Sequence, residues 1–207
     1  MIKKLAGIIG FVLLISTISF ATEKNDNLDN LAEALDAIEA SVNTPFEKNK
    51  DGAYIVYFDK EIVDPSEYRT LVTFLNNAKS TDTIIFKINT GGGNAIGMIT
   101  VINAIRSSAA MTIAEIQTAY SAGGIIAMAC KRKVVMPYAT FMIHSVQTGS
   151  QGSINNIKSY VDCWKRLNDD IIRNNFRNFL TENEINYVND GGVIWMNEEE
   201  IRARLKK

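Results

Sequence analysis

"TIIFKINTGGGNAIGMITVINAIRSS", residues 83–108, is the stretch whose reading decides the fold. Its opening, Thr83–Asn89, is nearly continuous in apolar and β-branched residues, as in a strand of a buried parallel sheet. Three glycines follow, Gly91, Gly92 and Gly93. With no side chains in the way, such a turn can aim backbone N–H groups outward. Ile96, Ile99, Ile102 and Ile105 then recur at helical spacing, which predicts a helix over 95–108. The turn fits neither the phosphate-binding P-loop nor G-x-G-x-x-G, and no lysine follows it, so the spacing argues against nucleotide binding. It reads either as an anion or oxyanion site or as a plain strand–helix connection.

The same alternation continues on both sides. Upstream, "AYIVYF" (53–58) reads as a strand and "DPSEYRTLVTFLNNAKS" (64–80) as a helix, with Ser66 as a possible cap and Leu71, Phe74 and Leu75 on one face. Downstream come a strand, "MTIAEIQTAY" (111–120), a helix opened by "SAGGIIAMACK" (121–131), and two short strands, "RKVVMP" (132–137) and "TFMIHS" (140–145). A glycine-containing loop leads to a long helix over 154–180, whose apolar residues include Ile154, Ile157, Val161, Trp164, Leu167 and Ile171. "TENEINYVND" (181–190) reads as a short helix with a Thr181–Glu184 capping box, and "NEEEIRARLKK" (197–207) as a charged terminal segment. Alternating strands and helices without repeats predict one α/β domain, over 53–207.

The N-terminus reads differently. Lys3 and Lys4 precede an apolar stretch from Leu5 to Phe20, and Ser19 and Ala21 supply small residues at the −3 and −1 positions. This is the pattern of a secretory signal over 1–21, cleaved after Ala21, with an uncleaved membrane anchor as the alternative. Export to the periplasm or medium is the expectation. Removing the leader shifts the formal charge from −1 to −3, with no basic stretch marking a nucleic-acid partner. Residues 22–52 then hold an amphipathic helix, with Leu28, Leu31, Leu35 and Ile38 on one face, and a loop. Two cysteines and one histidine without C-x-x-C exclude a Cys/His metal cluster. Cys130 and Cys163 both read as small buried residues, and export leaves a bridge between them open.

Two residues carry chemistry on local grounds. Ser121 sits at a strand-to-helix junction, where a nucleophile is exposed and the helix N-terminus stabilises developing negative charge. The plainer reading is an N-cap serine. His144, the only histidine, lies in the apolar "FMIHSV" (141–146) and reads either as a core histidine or as a base, since histidine ordinarily titrates near neutrality.

Taken together, "INTGGG", "AYSAGG" and "FMIHS" resemble in order and spacing the Clp protease (ClpP-like) proteolytic subunit family, whose motifs read like "INSPGG", "AAS-x-G" and "MIH". "KRKVVMPYATFMIH" is similar to the family's "GKRYALPNSRVMIH", and "QTGSQGSINNI" to "GGAQGQATDI". The likeness runs from about Tyr54 to Glu200 and extends to the related phage head-maturation proteases. It implies a ClpP/crotonase-type spiral of ββα units with a long protruding handle helix. It further implies a serine endopeptidase with Ser121 as nucleophile, His144 as base, and an oxyanion hole from Gly93 or Gly92 together with Ala122. No cofactor is implied.

The third member is read from the stretch before "WMNEEEI". Strict alignment to the bacterial subunit puts Val193 at the family's Asp position, whereas the phage pattern D-x-x-x-W-M reaches Asp190 with one inserted residue. Asp190 is the choice, and the alternative is an ordinary turn aspartate. The family's handle helix implies a homo-oligomer through residues 154–180. Its usual cytosolic unfoldase is not expected for an exported protein, so cleavage of peptides or unfolded segments would be ATP-independent. The sequence departs from the pattern at Gly91, where proline is usual, and at Tyr120, where small residues are usual. It also lacks the family's closing "EYG" segment. The looser turn and the uncertain acid leave a decayed scaffold as the alternative function. A signal-peptide-peptidase-like serine protease is the other, although the histidine in register argues against a Ser–Lys dyad.

Overall fold

The computed structural model describes residues 46–206. The leader and the amphipathic helix read over 23–43 lie outside them. Five strands form one sheet in the order β1-β2-β3-β4-β5: β1 Tyr54–Phe58, β2 Thr83–Thr90, β3 Met111–Tyr120, β4 Arg132–His144 and β5 Val193–Met196. The first four run parallel, and β5 is antiparallel to β4. Among the described residues six α-helices accompany them: α1 Arg69–Asn77, α2 Ala95–Ser107, α3 Ala122–Ala129, α4 Ile154–Phe176, α5 Glu182–Asn189 and α6 Glu198–Leu205. Parallel neighbours cannot be joined by a hairpin, so α1, α2 and α3 serve as the crossovers. Because the strands follow sequence order, each crossover steps the same way and the chain advances as a spiral.

The core follows from strand alternation. Val56 and Phe58, Ile84, Phe86 and Ile88, and Ala114 and Ile116 are buried together with Leu71, Leu75, Met98, Val101, Ile102, Ile105 and Ile126 of the crossover helices. The near-continuous apolar run of β2 anticipates burial on both faces, but the structure buries only one. Lys87 and Glu115 form an ion pair on the other face, beside an exposed Tyr57. On α2 the buried stripe is Met98, Val101, Ile102 and Ile105 rather than the run of isoleucines, and Ile96 is left exposed.

Several local readings change. The helix after β1 begins as a 3-10 turn, Pro65–Tyr68, and its cap is Asp64, whose carboxylate accepts from the Ser66 N–H at 3.0 Å. Ser66 is thus capped rather than the cap. The two short strands expected over 132–145 are one strand with a large bulge. Met136–Ala139 lie opposite Gln117 alone, and Tyr138 takes φ +61° there and points into solvent. The long helix stops at Phe176 instead of Leu180. Turn bonds from the Phe179 and Leu180 N–H groups to the Phe176 carbonyl tuck both side chains into the core, where the Phe179 ring lies 5.5 Å from that of Phe141. The Thr181–Glu184 capping box forms. The charged tail is helix α6, with an Asn197–Glu200 capping box of its own, and "VIWM" before it supplies β5. Cys130 is buried, and burial pushes its thiol up to about 12. Cys163 is exposed on α4, against the expectation of burial, and both thiols are free.

Candidate active site

The glycine turn after β2 is clamped from two directions. Thr90 is buried, and its hydroxyl donates to the Lys60 carbonyl at 2.6 Å while accepting from the Gly92 N–H at 3.1 Å. Ile62 pairs with the turn as in a parallel bridge: its N–H donates to the Gly92 carbonyl, and its carbonyl accepts from the Asn94 N–H, each at 2.7 Å. That pairing turns the N–H and carbonyl of Gly93 away from Ile62. Of the two glycine amides considered for an oxyanion hole, Gly92 is therefore engaged and Gly93 is not. Both need to be glycine. Their φ angles are +101° and +141°, a Cβ on Gly92 would lie 2.7 Å from Ser121 Cβ, and one on Gly93 would collide with the Ile62 backbone. Gly91 has neither constraint: a Cβ there meets nothing within 4 Å. The looseness expected from losing proline at Gly91 is offset by the Thr90 and Ile62 bonds.

Ser121 joins β3 to α3 with φ +52° and ψ −121°. A non-glycine residue held in such a conformation carries about 1–3 kcal/mol of strain. Three bonds hold it there. Its N–H donates to the Met142 carbonyl of β4 at 2.9 Å, and its carbonyl accepts from Gly124 and Ile125 at 3.0 and 3.3 Å. Ser121 stands at the N-cap position of α3, yet its side chain makes no capping bond. The Ala122 N–H, in the first turn of α3, has no intrahelical acceptor. Gly123 and Gly124 let this turn approach its neighbours. A Cβ on Gly123 would press on the Thr90 methyl, and one on Gly124 on the Phe141 ring.

His144 is the last residue of β4 and half-buried. Ser121, Ala122, His144, Gly91 and Gly93 line one cleft of about 510 Å³, walled further by Glu61, Ile96 and Trp164. The structure thus brings together the sequence-derived serine, histidine and two of the three amides. Asp190 is not among the cleft residues. It caps the C-terminus of α5, exposed, with its N–H on the Asn186 carbonyl at 2.9 Å. In the β4–β5 ladder the residue opposite His144 is Val193. Gly191, with φ +96°, and Gly192 separate Asp190 from that position. Tyr120 does not narrow the cleft: its ring packs edge-on against Trp195, with centroids 5.0 Å apart, and its hydroxyl meets Thr140 Oγ1 at 2.9 Å.

The sequence reading passed over Asn168. It is buried on α4, and its carbonyl oxygen accepts from the Val146 N–H, two residues past His144, at 2.8 Å. Its amide donates to Asn189 Oδ1 at 2.9 Å, and Asn189 in turn donates to Asp169. Asn168 therefore ties the segment leaving His144 to α4 and α5. The available signal was a polar residue between Leu167 and Ile171 on a helix face that is otherwise apolar. Farther out, Arg204 of α6 grips Glu184 of α5 through two bonds, at 2.6 and 3.0 Å, and holds its carboxyl down at about 2.

The sequence model of the Clp protease family matches residues 53–190. The chain belongs to the Clp protease family. The match takes in β1 through α5, including the glycine turn, Ser121 and His144, and ends on Asp190, before β5 and α6. No curated protein matches the chain significantly. Family membership agrees with the α/β spiral and carries a protease-type function in general terms.

Proposed function

We propose that the protein is a serine-type endopeptidase that cleaves peptides or unfolded protein segments through an acyl-enzyme. One observation carries the reading. A serine hydroxyl free of capping duty, on a strained turn, shares a cleft with the only histidine and with the amides of Gly93 and Ala122. Serine is a weak nucleophile until a base takes its proton as it attacks, and His144 fills that role. The carbonyl oxygen becomes an oxyanion and is met by the Gly93 and Ala122 N–H groups. Each such donor is worth about 2.7–4 kcal/mol in the transition state. His144 then returns the proton to the leaving amine, and water repeats the sequence to release the acyl group. Asp190, which lies outside the cleft, is the proposed orienting carboxylate, and the two glycines that follow it would let its loop bring it to His144.

The leader pattern supports an exported protein. Without a cytosolic unfoldase, such an enzyme would act independently of ATP on chains already unfolded. The exposed half of α4 supports a homo-oligomer. A second reading, a scaffold that keeps the fold without the chemistry, is favoured by Val193 standing opposite His144.

Peptide turnover by wild type, Ser121→Ala and Asp190→Asn tests both readings. The peptidase predicts loss of turnover in Ser121→Ala and at least a hundredfold fall in kcat for Asp190→Asn. Turnover within about twofold of wild type in Asp190→Asn would show that another group orients His144. No turnover in wild type would favour the scaffold.

A further inference from the structure

Among the residues lining the cleft, Glu61 is the only acidic side chain, and no lysine or arginine lines it. Apart from Ser121 and His144, its other polar walls are the neutral Asn94, Gln147 and Thr148. Glu61 is exposed and makes no ion pair or hydrogen bond with a described residue. Its backbone is held by the fold. The next residue, Ile62, is pinned to the glycine turn by both of its backbone groups, and the Glu61 stem crosses Gly93 closely enough that a Cβ there would lie 2.9 Å from Glu61 Cγ. The stem of Glu61 thus leaves the backbone next to Gly93, and the side chain lines the cleft.

A negative charge in the cleft disfavours the developing oxyanion, favours the imidazolium that forms on His144, and attracts a cation on the substrate. The first two effects are common to every substrate, whereas the third distinguishes a basic peptide from a neutral one. We infer that Glu61 is a specificity-determining residue that selects peptides with a basic side chain, lysine or arginine, close to the cleaved bond. This inference rests on the peptidase reading of the same cleft. Glu61 takes no part in the proton transfers, so its removal should change which peptides are cleaved and leave the machinery of cleavage in place. Complementary charge in a partly exposed cleft is worth a modest factor, about fivefold, and is screened by salt.

The test uses N-terminally blocked fluorogenic peptides in which lysine or norleucine is walked through the positions flanking the cleaved bond, with wild type and Glu61→Gln. Wild type should favour lysine by about fivefold in kcat/KM at one position, and 1 M salt should erode that preference. Glu61→Gln should reduce the ratio to near one while keeping or raising turnover of the norleucine peptide. An unblocked peptide lacking lysine separates a basic side chain from a free amino terminus: its preferential cleavage would overturn the assignment to a side chain. A lysine preference of the same size in both proteins, or a wild-type preference for norleucine at every position, would overturn the inference while leaving the peptidase reading intact. Failure of a fluorophosphonate to label Ser121 would overturn both.

Discussion

Ser121 stands at φ +52°, a region that side chains resist and glycine does not. The strain keeps the hydroxyl off the helix end, where a relaxed serine would cap. Ser121→Gly should therefore raise the denaturation midpoint, by an amount equivalent to about 1 kcal/mol, while abolishing peptide turnover. Urea melts read beside activity check this, and a glycine variant less stable than wild type would refute the strain. The glycine turn offers a matched contrast. Gly91→Ala has open space and an ordinary φ, and should stabilise by about 0.4–1 kcal/mol through the unfolded state with activity retained. Gly93→Ala should lower kcat by at least a hundredfold, because the turn must move off Ile62 and carry its N–H with it.

Elements place these residues, and the elements were legible to different degrees. β2, the turn and α2 could be read directly because apolar period and glycine punctuation agree. β4 could not: Pro137 splits it in sequence, whereas in the sheet it occupies a bulge that the ladder spans. β5 hides as "VIWM" because four residues carry too little alternation to register, and its partner is set by the fold. Asn168 is the element-scale counterpart of Ser121. Asn168→Ala would leave the Val146 N–H and Asn189 Oδ1 without partners, costing about 1–3 kcal/mol. It should lower kcat more than it raises KM, since the loop after His144 loses its anchor. Kinetics together with urea melts check this. The α5–α6 contact predicts an acid response. Glu184 titrates at about 2 when folded against an ordinary 4.5, so its contribution is complete above pH 4.5 and is lost as pH falls toward 2. The stability gap between wild type and Glu184→Gln should close across that window, and a gap constant down to pH 2 would contradict the ion-pair account.

The described residues form a spiral sheet with one covered face and a helix that outruns its own core. On α4 the buried residues begin at Asn168, whereas Ile154 and Val161 are 85% and 45% exposed. The proposed homo-oligomer would use these exposed apolar residues as its association surface. Light scattering should find an oligomer that Ile154→Asp with Val161→Asp breaks down, and a monomeric wild type would remove the proposed role of the helix. The fold was legible because it rests on apolar period and turn chemistry, and the shared cleft of Ser121 and His144 was anticipated only through the resemblance of their motifs taken together. The place of Asp190 was not legible, because it depends on how a glycine loop approaches β4 from later in the chain. The central claim is that Ser121 is a nucleophile activated by His144, and mass spectrometry of the protein after fluorophosphonate treatment tests it most directly. The account predicts one adduct, on the peptide bearing Ser121, absent from Ser121→Ala and slowed at least a hundredfold in His144→Ala. Equal labelling of all three proteins, or no adduct on Ser121 in wild type, would contradict it.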